Sequence, residues 1–133
     1  MALRNQPYIP LYVQDFLTDE KLNQCSPASQ GIYIKIMCVL HKQEEYGTIL
    51  LKQKDKQNSS NISNFACKLS KLLPFQIKIL EDALTELVEE GCLFIEGDKL
   101  IQKRMVKDNT TSTSRSNAAR KGGGNPNFVK TKL

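Results

Sequence analysis

Residues 74–103 constrain the fold of this chain more than any other stretch. One apolar stripe at helical spacing is formed by Ile77, Leu80, Leu84 and Leu87. Gly91 ends the stripe, and the residues after it, CLFIE-GD-KLIQK, have the pattern of two short strands. Gly97-Asp98 between those strands is a two-residue turn signal typical of β-hairpins. The pattern therefore predicts a helix over 74–90 followed directly by a hairpin.

The preceding part of the chain predicts a longer helix and a short strand. Ser26-Pro27 is a strong helix start, because the hydroxyl caps the first turn and proline fits the first helical position. Apolar residues at helical spacing extend this helix over about 27–43. The run TILL at 48–51 then predicts a short strand.

A second amphipathic helix, capped by Ser60 or Asn61, leads through the turn KLLP into the helix over 74–90. The order is helix, strand, helix, turn, helix, hairpin. It predicts an α+β fold of the winged helix-turn-helix type, with three main helices and a short three-stranded sheet whose hairpin is the wing. We expect this domain to cover 1–107, with an N-terminal arm at 7–22 and a flexible tail at 108–133.

The net charge of +5 is unevenly divided along the chain. Residues 1–100 contain 11 Lys and Arg against 13 Asp and Glu, a net charge of −2. Residues 101–133 contain 8 Lys and Arg against Asp108 alone, a net charge of +7. That asymmetry favours an anionic partner, nucleic acid before a membrane surface. The segment from Asp108 onward has too few apolar residues to order itself, which is why a flexible tail is expected.

No residue pattern indicates catalysis, a metal site or a cofactor. Cys25, Cys38, Cys67 and Cys92 lie far apart, without the close ligand pairs typical of zinc sites. The last three lie in apolar runs and are expected to pack as small hydrophobic side chains. His41, the single histidine, is expected to be a polar residue favoured by the helix dipole at the end of the helix over 27–43. The sequence shows no signal peptide and no long apolar stretch, so we predict a cytoplasmic protein without membrane contact.

The segment PYIPLYVQDFLTDEKL and the following SPASQGIYIKIMCVLH resemble the N-terminal domain of phage and prophage replication initiators, also called replisome organisers. The motifs that match are the opening Pro-Tyr-x-Pro-x-Tyr-x-x-Asp-Phe-Leu, the pair Gly31 and Tyr33, Lys103-Arg104 after the hairpin, and Arg120 to Gly123 in the tail. The resemblance implies a winged-helix module that binds DNA during replication initiation in a phage or mobile element. It also implies helicase-loading or other replication proteins as partners. Either a short family member or the front part of a longer protein is compatible with the sequence.

Double-stranded DNA is the predicted ligand, with single-stranded DNA as the alternative, and the contacts are expected to be with phosphates. The predicted DNA-binding residues are Lys52, Lys54, Lys56, Lys68, Lys71, Gln76, Lys78, Lys99, Lys103, Arg104, Lys107, Arg115, Arg120 and Lys121. Lys99 and Lys103 are expected on the wing. The helix over 74–90 has a net charge of −4, so only its N-terminal turn is expected near DNA.

The arm at 7–22 is rich in large apolar residues. Left exposed, such a segment would favour aggregation, so we expect it to pack over the helices, with Asp15 or Thr18 capping a short helical turn. A docking surface and a catalytic cleft are the alternatives for this arm. For the whole chain we predict non-catalytic DNA binding in replication initiation. A transcriptional regulator and a winged helix that binds protein instead of DNA stay open as alternatives, as does the oligomeric state.

Overall fold

The computed structural model of the chain describes residues 5–111. The helices are α1 (Val13–Thr18), α2 (Glu20–Asn23), α3 (Pro27–His41), α4 (Asn61–Ser70), α5 (Ile77–Glu89) and α6 (103–111). The strands are β1 (Thr48–Leu50), β2 (Phe94–Glu96) and β3 (Lys99–Ile101), and a single 3₁₀ turn covers Gln53–Asp55. The predicted α+β class, the strand at 48–51 and the hairpin around Gly97-Asp98 are confirmed.

The three strands form one antiparallel sheet in the order β1-β3-β2. Ile49 and Ile95 both lie opposite Leu100, so these three side chains form a row across the sheet. Leu100 and Ile49 are buried, and Ile95 packs against the core. Gly97 has a positive φ of 61°, the left-handed conformation that a tight hairpin turn requires. One face of the sheet therefore closes the core.

The core lies between α3, α4, α5 and this face of the sheet. Its fully buried helical side chains are Ile36, Leu40, Phe65, Ala66, Leu69, Leu80, Leu84 and Leu87. The predicted stripe on α5 is thus confirmed for its last three members. Ile77, the first member, is 42% exposed because the helix begins at this residue.

The helix starts agree with the sequence prediction for α3 and differ for α5. Ser26 caps α3, and its hydroxyl accepts a hydrogen bond from the backbone N–H of Ser29 at 3.2 Å. The helix predicted over 74–90 begins only at Ile77, after an extended Gln76. Leu73 and Phe75 pack against the core from the connection between α4 and α5. Their burial keeps this connection out of the helix.

Helix α6 follows β3, and the sequence pattern did not predict it. The side-chain oxygen of Gln102 accepts a hydrogen bond from the backbone N–H of Met105 at 2.9 Å and so caps the helix. Lys103, expected on the hairpin, is the first helical residue instead. The predicted boundary at Lys107 lies inside this helix. Most of the predicted tail, residues 112–133, lies outside the described residues.

The N-terminal arm forms the two short helices α1 and α2. Asp19 caps α2, because its carboxylate accepts hydrogen bonds from the backbone N–H groups of Lys21 and Leu22. The predicted caps are wrong: Thr18 donates to the carbonyl of Gln14 within α1, and Asp15 pairs with a residue of α6. The residue whose carboxylate caps a helix is therefore Asp19, one position after Thr18, at the boundary between α1 and α2.

His41 lies in the last turn of α3 as predicted, but the sequence did not predict its burial. It is buried, with Nδ1 2.7 Å from the hydroxyl of Tyr46 and Nε2 2.7 Å from the backbone carbonyl of Gln6. A carbonyl only accepts, so Nε2 donates and, in the neutral ring, Nδ1 accepts from Tyr46. His41 therefore links Gln6, which precedes the arm, to the core through these hydrogen bonds.

The four cysteines differ in burial. Cys25 and Cys92 are buried, and burial raises the pKa of the Cys92 thiol to about 12. Cys67 is half-buried. Cys38, which was expected to pack as a small hydrophobic side chain, is exposed, since it lies on the outer side of α3.

Candidate nucleic-acid interface

The loop between β1 and α4 contacts the tip of the hairpin. Nζ of Lys56 lies 2.5 Å from a carboxylate oxygen of Asp98, and the side-chain amide of Asn61 donates to the carbonyl of Gly97 at 3.0 Å. The backbone N–H of Leu51 donates to the carbonyl of Asp98 at 2.8 Å. The loop and the hairpin thus form one joined surface at this end of the molecule.

Asp55, in the 3₁₀ turn of this loop, accepts hydrogen bonds from two lysines. Its carboxylate accepts hydrogen bonds from Nζ of Lys68 at 2.9 Å and from the backbone N–H of Lys52 at 2.8 Å. The Lys68 hydrogen bond, with that of Lys52 second, lowers the pKa of Asp55. Lys68 also donates to the carbonyl of Leu50 at 2.8 Å, so its ammonium is engaged within the protein.

A buried amide fixes the second half of the loop. Asn64 is 2% exposed and lies on α4. Its side chain accepts from the backbone N–H of Asn58 at 2.9 Å and donates to the carbonyl of the same residue at 3.2 Å. Asn61 and Asn64 were not among the predicted site residues. The asparagine and serine run NSSN at 58–61 was a signal for Asn61 but not for Asn64.

Three of the predicted lysines at this end are exposed and make no ion pair within residues 5–111. They are Lys52, Lys54 and Lys71. Lys52 directly precedes the 3₁₀ turn, and Lys54 is its middle residue. Lys71 follows Lys68 by three positions at the end of α4, a spacing that puts both on one side of the helix. These ammonium groups are available to an anionic ligand.

The start of α5 adds one polar and one charged side chain. Gln76 is exposed and makes no side-chain cap. Lys78 lies 2.9 Å from Asp82, one turn further along, and this pair is largely exposed. The hydrogen bond that Lys78 donates to Asp82 raises the pKa of Lys78. The acidic character predicted for the later part of this helix is present on its surface.

The remaining predicted cations in the described part of the chain lie on β3 and α6. Lys99 pairs with Glu45 at 3.0 Å, and Lys103 lies 3.8 Å from Glu96 and 4.0 Å from the ring centre of Phe94. Arg104 pairs with Asp15 at 3.3 Å on the side of the arm. Lys107 is exposed on α6 and has no ion pair in the described part of the chain. Arg115, Arg120 and Lys121 lie outside the described residues.

The N-terminal arm packs only in part, although the sequence predicted that it covers the helices. Ile9 and Phe16 contact the core. The exposed apolar residues of the arm are Tyr8, Leu11, Tyr12, Val13 and Leu17. Beneath the arm, a cavity of about 100 Å³ lies against Tyr33, Met37 and Met105. The arm thus closes one side of the core and presents an apolar outer surface.

Within the described residues, no three His, Cys, Asp or Glu side chains converge as a metal site would require. No helix in the same part of the chain combines the length and the apolar character needed to cross a bilayer. Comparisons with known protein families, with curated proteins and with solved structures found no match to this chain.

Proposed function

We propose that this chain is a non-catalytic DNA-binding module of the winged-helix type, which holds duplex DNA through its phosphates. The observation that carries the proposal is that Lys52, Lys54 and Lys71 are exposed and that their ammonium groups make no ion pair within residues 5–111. Unpaired lysines of this kind contribute the salt-sensitive, sequence-independent part of DNA affinity.

The order of the elements supports the winged-helix assignment. Helices α4 and α5 are joined by residues 71–76 and pack closely, and the hairpin of β2 and β3 follows directly. β1 precedes the helix pair and completes the sheet in the order β1-β3-β2. A helix pair beside such a hairpin is the arrangement by which winged helices present a recognition helix and a wing to DNA.

The orientation on DNA follows from the charges. The exposed first turn of α5, with Gln76, Ile77 and Lys78, would approach a groove of the DNA. This DNA groove would be the one nearest to the lysine loop, that is, the loop between β1 and α4. Its later turns carry Glu86, Glu89 and Glu90, which the phosphates would repel. The hairpin tip is held by Lys56 and Asn61, so it would serve as a rigid support beside the backbone.

A role in replication initiation rests on the resemblance of residues 7–22 to phage and prophage replication initiators. In this proposal the basic residues of 112–133 extend the phosphate contacts beyond the folded domain. The helicase-loading machinery and other replication proteins are the partners that such a role would require.

Fluorescence anisotropy with labelled duplex and single-stranded DNA tests the proposal. A site with about six phosphate contacts should lose roughly a thousandfold in affinity between about 50 and 200 mM salt. The variant Arg115→Gln/Arg120→Gln/Lys121→Gln should bind duplex more weakly and show a shallower salt dependence. Absence of duplex binding at the lower salt concentration would refute the proposed function.

Protein binding is a second candidate function, favoured by the arm. Tyr8, Val13 and Leu17 are 63%, 62% and 65% exposed, a large apolar surface for so short a segment. This candidate predicts no measurable affinity for duplex at either salt concentration. The anisotropy experiment therefore distinguishes the two functions.

A further inference from the structure

A groove runs between the start of α3 and α5, and none of the proposed DNA-binding residues lines it. Its volume is about 530 Å³. Ile32, Ile79 and Ala83 provide its apolar lining, and Asp82, Glu86 and Glu89 provide its charge. No Lys or Arg lies among the residues that line the groove, all of which belong to the described part of the chain.

The carboxylate of Glu86 is fixed in the groove by hydrogen bonds. Hydrogen bonds from Ser29 and from Ser26 lower the pKa of Glu86, whose Oε1 lies 2.9 Å from the backbone nitrogen of Ser26. Asp82 pairs with Lys78, but both side chains are mostly exposed, so the pair is weak. Glu89 is exposed and has no ion pair within residues 5–111. The groove is therefore an apolar channel with anionic walls.

The chain itself contains a segment of complementary character. Residues 112–133 contain five basic residues and no Asp or Glu, with Phe128 and Val129 as apolar side chains near the end. These basic residues are Arg115, Arg120, Lys121, Lys130 and Lys132. A segment of this length can span up to about 70 Å when extended, which exceeds the size of a domain of about 100 residues. It can therefore reach any face of its own domain.

We propose that the groove between α3 and α5 binds the basic segment 112–133 of the same chain. The lysines and arginines would pair with Asp82, Glu86 and Glu89, while apolar side chains would contact Ile79 and Ala83. Attachment to α6 gives the segment an effective concentration in the millimolar range, which favours its own groove over that of a second copy. Binding of residues 112–133 in the groove does not depend on the proposed DNA binding. Competition between the groove and DNA for the basic residues of this segment does depend on it.

Paramagnetic relaxation in the full chain tests the docking. A nitroxide is attached at Ser116→Cys in a Cys38→Ser/Cys67→Ser background, which leaves only the buried Cys25 and Cys92 as other thiols. The amide signals of Thr85 and Glu89 should lose most of their intensity at low salt. They should recover it at about 500 mM salt, where the Debye length falls to a few ångströms. No broadening on α5, or broadening only on other surfaces, would overturn the proposal.

Matched charge variants separate specific docking from general attraction. Asp82→Asn/Glu89→Gln should abolish the broadening on α5, whereas Glu20→Gln/Glu96→Gln, with the same change in net charge, should leave it intact. Equal loss in both variants would overturn the groove assignment. Mixing spin-labelled chain with isotope-labelled chain that carries no nitroxide should give no broadening. Broadening in that mixture would assign the groove to the segment of a second copy instead.

Duplex DNA distinguishes this inference from the proposed function. Added duplex should release the segment and restore the signals of α5. If duplex fails to bind in anisotropy while the broadening persists, the proposed function fails and the docking stands. If duplex binds and no broadening is seen at any salt concentration, the docking fails and the proposed function stands.

Discussion

The phenol of Tyr12 donates a 2.7 Å hydrogen bond to the carboxylate of Asp108, 96 positions further along the chain. Arg104 lies 3.8 Å from the centre of the same ring and pairs with Asp15 at 3.3 Å. These contacts hold the N-terminal arm against α6. The hydrogen bond to Asp108 raises the pKa of Tyr12, because only the neutral phenol can donate it.

Replacing Tyr12 with Phe should loosen this attachment. The free energy of unfolding should fall by about 0.5–1 kcal/mol, the typical net contribution of one hydrogen bond. Urea denaturation followed by circular dichroism measures the change. Tyr8→Phe is the matched control, since the Tyr8 hydroxyl has no hydrogen bond within residues 5–111. Equal destabilisation in both variants would contradict a role for the Tyr12–Asp108 bond.

The buried His41–Tyr46 pair should behave as a coupled unit. His41→Phe removes the hydrogen bonds of the ring with the Tyr46 hydroxyl and with the Gln6 carbonyl, which should cost about 1–3 kcal/mol. Tyr46→Phe should cost less once His41 is already replaced, because no buried hydroxyl then remains to be satisfied. A double-mutant cycle by urea denaturation measures this coupling. Strictly additive effects would argue against the hydrogen bond.

Asp55 should make stability depend on pH in the acid range. Its pKa in the folded protein is lowered by the hydrogen bonds from Lys68 and Lys52. The stabilisation is therefore complete above the unfolded value of about 3.9 and disappears as the pH falls through the folded value. Asp55→Asn should be less stable than the natural chain at pH 6, and the difference should shrink towards pH 2.5. Thermal unfolding across this range measures it, and a difference that stays constant would contradict the prediction.

Gly47 should tolerate substitution less well than Gly97. Both have positive φ, 77° and 61°, so alanine at either position costs about 1–2 kcal/mol of backbone strain. A Cβ at Gly47 would also lie 3.0 Å from Cγ2 of Val106 and 3.1 Å from Cβ of Met105, whereas none of the described atoms lies within 4 Å at Gly97. Gly47→Ala should therefore lower the melting temperature more than Gly97→Ala. Equal shifts would show that α6 does not approach this turn closely.

The loop lysines should contribute to DNA affinity by their position and not only by their charge. Lys52→Gln/Lys54→Gln should weaken binding of every duplex alike and reduce the slope of log affinity against log salt by about two. Lys35→Gln/Lys42→Gln removes the same charge from α3 and from the residue that follows it, where both lysines are exposed, and should have a smaller effect. Anisotropy titrations over a salt series measure both slopes. Equal slopes would remove the loop from the interface.

The sequence predicts those features of the fold that depend on neighbouring residues. Ser26-Pro27 marked the start of α3, and Gly97 marked the hairpin turn, because capping and a positive φ are local requirements. The stripe of Leu80, Leu84 and Leu87 predicted the buried side of α5, because a helix repeats every 3.6 residues. The sequence also located the lysine loop of the candidate site.

Which lysines are available to a ligand was decided only by the tertiary structure. Lys56 and Lys68 look like Lys52 and Lys54 in the sequence, yet the first two are paired with Asp98 and Asp55. The tertiary structure alone also decided the formation of α6, the burial of His41 and the exposure of the apolar side of the arm. Each depends on a contact between residues far apart in the chain. No local pattern records such contacts, because they exist only once packing has brought the distant segments together.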